Sequence, residues 1–267
     1  MSGYVGDPRN VAKKIDKLYW GDGAGIARAV QKAYFGDPRG VAELWHQRGT
    51  PLGSLAVGSV VYFAVNGVRT PWIVVEQGCP SPMYDASCDG TWLLCKDVYS
   101  SKQWSKTVKN DYSLSGIRAY MDSTFLNSID QNVRIVIKDV RIPYRPGGGS
   151  STSVNSGASG LFCKIFLLSA AEVNIGFNNR PKEGVWLKHF MNCNTTGADD
   201  LRVANYNGVP YDWWLRTPDT ATSNSAVLVT KTGAMSSANV AYLHGFRPAL
   251  VLPQEVRVDG DGNVMGG

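Results

Sequence analysis

The sequence predicts an α+β fold of irregular antiparallel sheets with few helices, preceded by three short helix-strand repeats. Three observations carry that reading. Glycine is abundant, at 29 residues, and the strand-like apolar runs are short and separated by turn signals, as in an irregular strand-rich domain. The first 46 residues repeat with a period of 15, a unit too short to stand without neighbours. Near the other end, the stretch 211–253 has apolar, aromatic ends around a middle of small polar residues.

In the repeats, Tyr4-Val5-Gly6-Asp7, Tyr19-Trp20-Gly21-Asp22 and Tyr34-Phe35-Gly36-Asp37 recur in register. Each Asp can cap a helix, with Pro8 and Pro38 at the first helical position. Val11-Ala12, Ile26-Ala27 and Val41-Ala42, followed by Ile15, Val30 and Trp45, then give one apolar helical face. The aromatic pair makes a short extended link. Three copies bury only a small core, so residues 1–46 are expected to be an attachment or oligomerisation module, packed on copies of themselves or on a partner. Packing on the same chain is the plainer alternative. Residues 47–54 (QRGTPLGS) read as a linker, and residues 55–267 as the main, ligand-binding domain.

That domain opens with a strand at 58–65, an Asn66-Gly67 hairpin turn and a returning strand at 70–75. A turn-rich loop follows at 77–90, then an apolar strand at 91–95. Leu114 to Leu126 reads as a helix capped by Ser115, with Ile117, Tyr120, Met121 and Phe125 near one face. Val133 to Val140 alternates as a strand. Pro143 to Gly160 is low in complexity and reads as a mobile surface loop. Tyr211 to Arg216 alternate with Trp on each side, a strand covered on both faces. Ala226 to Thr230 gives another strand, with a turn at Thr230 to Gly233. Phe246 to Leu252 closes the stretch as a strand, with Pro248 at its start or on an edge. Trp213, Trp214, Arg216, Phe246 and Arg247 are expected to be structural. Glu255 to Val264 reads as a hairpin around Asp259-Gly260-Asp261-Gly262.

Four separated motifs carry a family resemblance. WWLR at 213–216, a polar interval and GFRPAL at 245–250 form the first. Trp104 with GIRAYM at 116–121, then Phe125, then IFLLSAAEV at 165–173 complete it. In order and spacing these resemble a lectin-like domain family of bacterial and phage proteins, over roughly residues 55–253. The resemblance implies the C-type-lectin-like fold shared by formylglycine-generating enzymes and phage tropism determinants, with no required disulfide framework or calcium site. The N-terminal repeats are similar to short aromatic-Gly repeats of tail proteins from phages of Gram-positive bacteria.

The 43% apolar and 18% charged composition is that of a soluble globular chain, and no run of 18 apolar residues offers a membrane span. Net charge is +5 and the basic residues are scattered, which disfavours nucleic acid as a partner. The opening residues lack the pattern of a secretory leader. Cys79, Cys88, Cys95, Cys163 and Cys193 are therefore expected reduced, in a chain made in a bacterial cytoplasm; a Cys79–Cys88 bridge is the alternative. His189 and Cys193 stand at helical spacing but lack a second ligand pair for zinc. Asp259 to Asn263 begins like a calcium loop and lacks its Gly and closing Glu. No cysteine follows Cys193, so the C-terminal catalytic cysteine pair of the formylglycine-generating relatives is missing. The Glu-Pro-Asn and Trp-Asn-Asp motifs of calcium-type lectins are missing too. The expectation is a protein that is not an enzyme and needs no cofactor or metal.

The loops at 217–225 and 236–244 are rich in Ser, Thr, Ala and Asn. Such residues build adaptable hydrogen-bonding surfaces with an occasional aromatic anchor, here set on a rigid frame. Plain solvated loops are the bland reading. The residues expected to contact a ligand are Asp219, Thr222, Asn224, Ser237, Asn239, Tyr242 and His244. The resemblance implies a phage or prophage tail-tip receptor-binding protein of the virion, taking a bacterial cell-surface protein or glycan. Residues 1–46 would join it to other tail or baseplate proteins, and a homo-oligomer, for example a trimer, suits such appendages. The tropism-determinant relatives vary this region by adenine-directed mutagenesis of AAC codons, as variable proteins of diversity-generating retroelements. Ser237 to His244 and Asp219 to Ala226 all fall within the broad set of residues such codons reach; binding in this region without diversification is the plainer alternative. The alternatives are a structural appendage protein without ligand and an enzyme of the formylglycine-generating type that has lost its cysteine pair.

Overall fold

A computed structural model of the chain describes residues 19–21, 27–29, 34–36, 42–44, 49–107, 109–148, 153–176 and 182–266. They fall in two units, Met1–Gly49 and Thr50–Gly267. In the first unit, Tyr19–Gly21 pairs antiparallel with Ala27–Ala29, and Tyr34–Gly36 with Ala42–Leu44. The aromatic-Gly segments at Tyr19–Gly21 and Tyr34–Gly36 are strands, as expected, and Tyr4-Val5-Gly6 lies outside the described residues. Ala27 and Ala42, assigned above to helical faces, are strand residues instead. A helix this short is marginal, and pairing with the aromatic strand gives the backbone polar groups partners. Val11, Ala12, Ile15, Ile26, Val30, Val41 and Trp45 lie outside the described residues.

The main strands of the second unit are β1 (Val60–Val65), β2 (Val68–Gln77), β3 (Thr91–Cys95), β4 (Ser100–Gln103), β5 (Val140–Ile142) and β6 (Leu161–Cys163). They continue with β7 (Ile165–Phe166), β8 (Trp213–Pro218), β9 (Ser225–Val229), β10 (Met235–Asn239), β11 (Leu243–Phe246) and β12 (Ala249–Leu252). One five-stranded sheet has the order β7-β12-β3-β2-β1 and is antiparallel throughout. The other has the order β10-β9-β8-β11-β4, in which only β8 and β11 run parallel. β5 pairs with β6. Helices are few, and among the described residues none is long and apolar enough to cross a membrane.

Local chemistry explains these elements. Asn66 and Gly67 take φ of 51° and 75°, so both central residues of the β1–β2 turn are left-handed, the hand that matches strand twist. All six residues of β8 are buried, as are all of β3 and β12. The Trp104, Trp213 and Trp214 indoles are buried, and their N–H groups donate to Leu215, Arg202 and Lys102 carbonyls at 2.9, 3.0 and 3.0 Å. The expected helix starts at Gly116, with the Ser115 hydroxyl accepting from the Arg118 N–H at 3.2 Å. It runs to Ser128 through a π turn at Met121–Phe125. Ile117, Met121 and Phe125 face the core.

Four expectations need correction. Val133 to Val140 is not one strand. Asp130 caps a short helix at Gln131–Arg134, its carboxylate accepting from the Asn132 N–H at 3.0 Å. Val133 and Ile137 are buried and Ile135 is exposed, so a spacing of four takes over from the apparent alternation. Phe246 to Leu252 is two strands in two sheets, broken at Arg247-Pro248. The Arg247 Nε donates to the Cys95 carbonyl at 3.0 Å and its Nη2 to that of Lys96 at 2.8 Å. It thereby ties this crossing to the β3–β4 crossing, and burial lowers its pKa to about 10. The Pro143 to Gly160 segment is anchored near both ends, by Tyr144–Asn155 pairing and by the buried Arg145. Residues 50–54 are not linker: Thr50–Pro51 pairs with Arg257–Val258, and Leu52 is buried. Arg257–Val258 also pairs with Val264–Met265 in the expected hairpin. There the Asp259 carboxylate accepts from the Asp261 and Asn263 N–H groups at 2.9 and 2.8 Å.

A fragment of residues 50–267 is expected to keep this fold. A fragment of residues 55–267 loses the Leu52 side chain and the Thr50–Val258 pairing, and should be less stable by about 2–5 kcal/mol. Urea unfolding of the two fragments measures the difference, and equal midpoints would return residues 50–54 to the status of a linker.

Candidate ligand-binding surface

β8 is the strand from which the surface is built. Arg216 at its centre is fully buried. Its Nη1 and Nη2 donate to Glu172 Oε2 and Oε1 at 2.5 and 2.7 Å, a bidentate pair. The remaining donors reach the carbonyls of Pro143, Leu167 and Glu183. Glu172 also accepts from the Tyr84 hydroxyl and the Ser169 N–H, each at 2.8 Å. Burial opposes the Arg216 charge, and Glu172, Glu183 and Tyr84 together more than offset it, so its pKa is raised. Burial raises the neighbouring Glu183 carboxyl despite Arg216 and Arg145.

The loop after β8 is held from below by Asn110, which is fully buried. Its Nδ2 donates to the carbonyls of Asp219, Thr222 and Ser225 at 3.0, 2.9 and 2.8 Å. Its backbone N–H donates to the Ser223 carbonyl at 2.9 Å, and its Oδ1 accepts from the Gly148 N–H at 2.7 Å. Sequence reasoning missed Asn110, which stands in an ordinary polar run (KNDYS) with no distinguishing pattern.

The seven expected contact residues divide by exposure. Thr222, Ser237 and Tyr242 are exposed, whereas Asn224, Asn239 and His244 are half-buried. Asp219 is buried at 7% exposure, and its Oδ1 accepts from the Ala221 N–H at 2.8 Å. It shapes the turn rather than facing a ligand, the usual work of an Asx side chain. Asn239 has a similar task, its Oδ1 accepting from the Ala241 N–H at 3.0 Å. The β9–β10 register sets Ser225 opposite Asn239 and Val227 opposite Ser237, and the Val240 N–H donates to the Asn224 carbonyl. These contacts join the two loops. Tyr242 follows directly, its N–H donating to the Asn239 carbonyl at 2.9 Å at the end of β10, and His244 lies on β11, which pairs with β4.

His244 stands edge-on to Trp214, with ring centres 4.7 Å apart, and its Nδ1 lies 4.0 Å from Asp212 Oδ2. Burial lowers its pKa, and Asp212 opposes that shift. Beyond it, β4, the Leu114–Tyr120 segment and Leu243 enclose a cleft of about 490 Å³. Lys102, Gln103, Lys106, Leu114, Tyr120 and Leu243 line it. Leu114 and Leu243, both lining the cleft, are 75% and 61% exposed, and Tyr242 next to Leu243 in sequence is 64% exposed. The Lys102 ammonium sits 3.9 Å from the Tyr120 ring centre. The Gln103 amide donates to the Ala241 carbonyl at 2.7 Å, which holds the β10–β11 turn against β4. The β4 side of this cleft was not legible, because Ser100–Gln103 is far from 236–244 in sequence and shows no pattern.

Residues 89–254 match the profile of a family described as a domain of unknown function, DUF6273. The chain belongs to this family. No curated protein and no solved structure matches it. The DUF6273 segment begins just before β3 and ends just after β12, so it contains Asn110, Glu172, Arg216 and every residue that lines the cleft. β1 and β2, which complete the first sheet, lie ahead of it.

Within the DUF6273 segment all five cysteines except Cys79 and Cys88 are found, and all five in the chain are free thiols. Cys79 is exposed, and burial pushes the Cys88 and Cys95 thiols up to about 12. Among the described residues no group of three or more His, Cys, Asp or Glu is placed to hold a metal ion; the His189–Cys193 spacing gains no further ligands.

Two outcomes follow from this geometry. Glu172→Ala leaves the buried Arg216 charge without its carboxylate, and should cost about 3–5 kcal/mol in denaturant unfolding; an unchanged midpoint would remove the pair from its central role. Burial lowers the pKa of both His189 and His244. The unfolded chain then takes up protons first on acidification, so their contribution is full above an ordinary histidine pKa of about 6.5 and is lost as pH falls through the folded values. Melting temperature should accordingly drop less between neutral pH and about pH 5 in a His189→Gln/His244→Gln variant than in the native protein. Parallel curves would show that neither histidine is linked to folding.

Proposed function

We propose that this protein is the receptor-binding subunit of a phage or prophage tail tip, with a C-type-lectin-like second unit that recognises a bacterial cell-surface ligand. The observation that carries the reading is a contrast between frame and loops. Trp213, Trp214, Arg216, Phe246 and Arg247 are all buried, while Tyr242 and Leu243 are exposed and Leu243 lines a cleft on the same sheet. A rigid scaffold presenting adjacent exposed aromatic and aliphatic side chains, one of them at a cleft, suits recognition, since such groups gain most when a partner covers them. In this reading residues 1–46 join the subunit to other tail or baseplate proteins and to copies of itself. Their short repeats, each with little room for a core, support that role.

The loops themselves are read as the variable region of a diversity-generating retroelement. Asn110 supports this, because it binds the 219–225 loop through main-chain carbonyls and leaves the exposed side chains of Ala221, Thr222 and Ser223 outside the clamp. A near-copy of the DNA encoding 217–244 beside a reverse transcriptase gene is the expected genomic sign.

The direct test uses the two exposed residues rather than the half-buried ones, whose loss would disturb the turn or the Trp214 packing. Tyr242→Ser/Leu243→Ser should reduce adhesion to host cells by about tenfold or more, with an unchanged melting temperature. Full adhesion by this variant would move the ligand surface away from β11.

A further inference from the structure

We infer that the cleft between β4, the Leu114–Tyr120 segment and Leu243 binds an anionic saccharide, one whose sugar units carry carboxylate or phosphate. The inference names the ligand class for the surface proposed above, and rests on that surface being the one that meets the host.

Charge is the first argument. Among the described residues, Lys102 and Lys106 are the only charged ones that line the cleft, and both are cationic. The acidic side chains on either side in sequence are engaged elsewhere: the Asp97 carboxylate accepts from the Asn205 N–H at 3.3 Å. Asp111 accepts from the Ser113 N–H and hydroxyl at 2.9 and 2.6 Å, and Asp122 pairs with Arg118 at 3.1 Å. Among the described residues neither lysine has a carboxylate partner. The Lys102 ammonium is held instead against the Tyr120 ring. Such a contact fixes the position of a cation without neutralising it, so less ordering remains for a ligand to supply.

The uncharged part of the lining decides between saccharide and other anions. Ser101, Gln103, Ser105 and Thr107 all line the cleft. The Ser101 and Thr107 hydroxyls both donate and accept, Thr107 being positioned by the buried Ser105 hydroxyl at 3.0 Å, and the Gln103 amide adds an acceptor oxygen while its nitrogen is held by the Ala241 carbonyl. A saccharide presents hydroxyls that need both kinds of partner. Leu114, Leu243 and Tyr120 supply the apolar area on which the C–H face of a sugar ring can rest. A purely acidic peptide would use the lysines and leave most of that hydroxyl-rich wall unmatched. At about 490 Å³ the space lies within the usual range for ligand sites, about 300–1,000 Å³, and suits a short oligosaccharide rather than a single ion.

The test measures binding of the full-length protein by calorimetry to four probes. Oligogalacturonate supplies carboxylates, a glycerol-phosphate oligomer supplies phosphates, maltohexaose is neutral, and hexaglutamate is an acidic peptide. At least one of the first two should bind, and the one that does identifies the source of the charge. Its affinity should fall as salt rises, by about tenfold or more between low and physiological ionic strength. Lys102→Gln/Lys106→Gln should weaken it by about tenfold or more without lowering the melting temperature. Binding of neither anionic saccharide, equal binding of maltohexaose or hexaglutamate, or an unaffected lysine variant would each overturn the inference. Cell adhesion separates it from the reading it rests on. If the lysine variant adheres like the native protein while Tyr242→Ser/Leu243→Ser does not, the anionic-saccharide inference falls and receptor binding stands. If both variants adhere fully, both fall.

Discussion

The second unit depends on one buried ion pair. Arg216 and Glu172 are each inaccessible to solvent, and the guanidinium spends its donors on one carboxylate and three backbone carbonyls. The pair explains why two distant motifs share one chain. IFLLSAAEV supplies Glu172 and WWLR supplies Arg216, and each motif is half of a single contact. Tyr84, from the turn-rich loop after β2, adds a third segment through its hydroxyl. Removing either charge leaves the other desolvated without compensation, which is why such pairs are costly to break although they add little net stability when intact.

The same device recurs. Arg202 is buried and donates to the carbonyls of Gly233, Asn194, Gly197 and Val173. Arg247 collects two more at the crossings between the sheets, and Asn110 collects three under the loop after β8. Irregular chain buried inside a domain carries carbonyls that no ladder can satisfy. Long polar side chains with several donors take the place of the missing strands. Gly233 shows how closely the chain packs around Arg202: a Cβ there would lie 1.9 Å from the Asp199 carbonyl oxygen, and its φ is 76°.

Sequence reasoning recovered what short-range rules govern. The Ser115 cap, the spacing of Ile117, Met121 and Phe125, the Asn66-Gly67 turn and the doubly covered strand at Trp213 each depend on neighbours within a few residues. It failed where a longer-range partner decides. Val133, Ile135 and Ile137 fit an alternating strand equally well until Asp130 caps a helix in front of them. Nothing local shows that Arg247 and Pro248 break one apolar run into two sheets, since the reason lies at Cys95 and Lys96. For the same cause the candidate surface was half legible. Tyr242 declared itself by composition, whereas Lys102 and Leu114 joined the surface, and the buried Asn110 its support, only through folding, and Asp219 proved to be a turn-shaping residue that polar composition alone cannot tell from a contact.

The Asn110 clamp separates two demands that usually conflict. A loop shaped by its own side chains must keep them, and each change in what it recognises risks the fold. Here, apart from the Asp219 turn at its start, the backbone of 219–225 is fixed by a residue more than a hundred positions away, at sequence separations of 109 to 115. Ala221, Thr222 and Ser223 can therefore drift with little folding penalty, and the evolvability of that loop is a property conferred by an asparagine that natural selection would register only as structure.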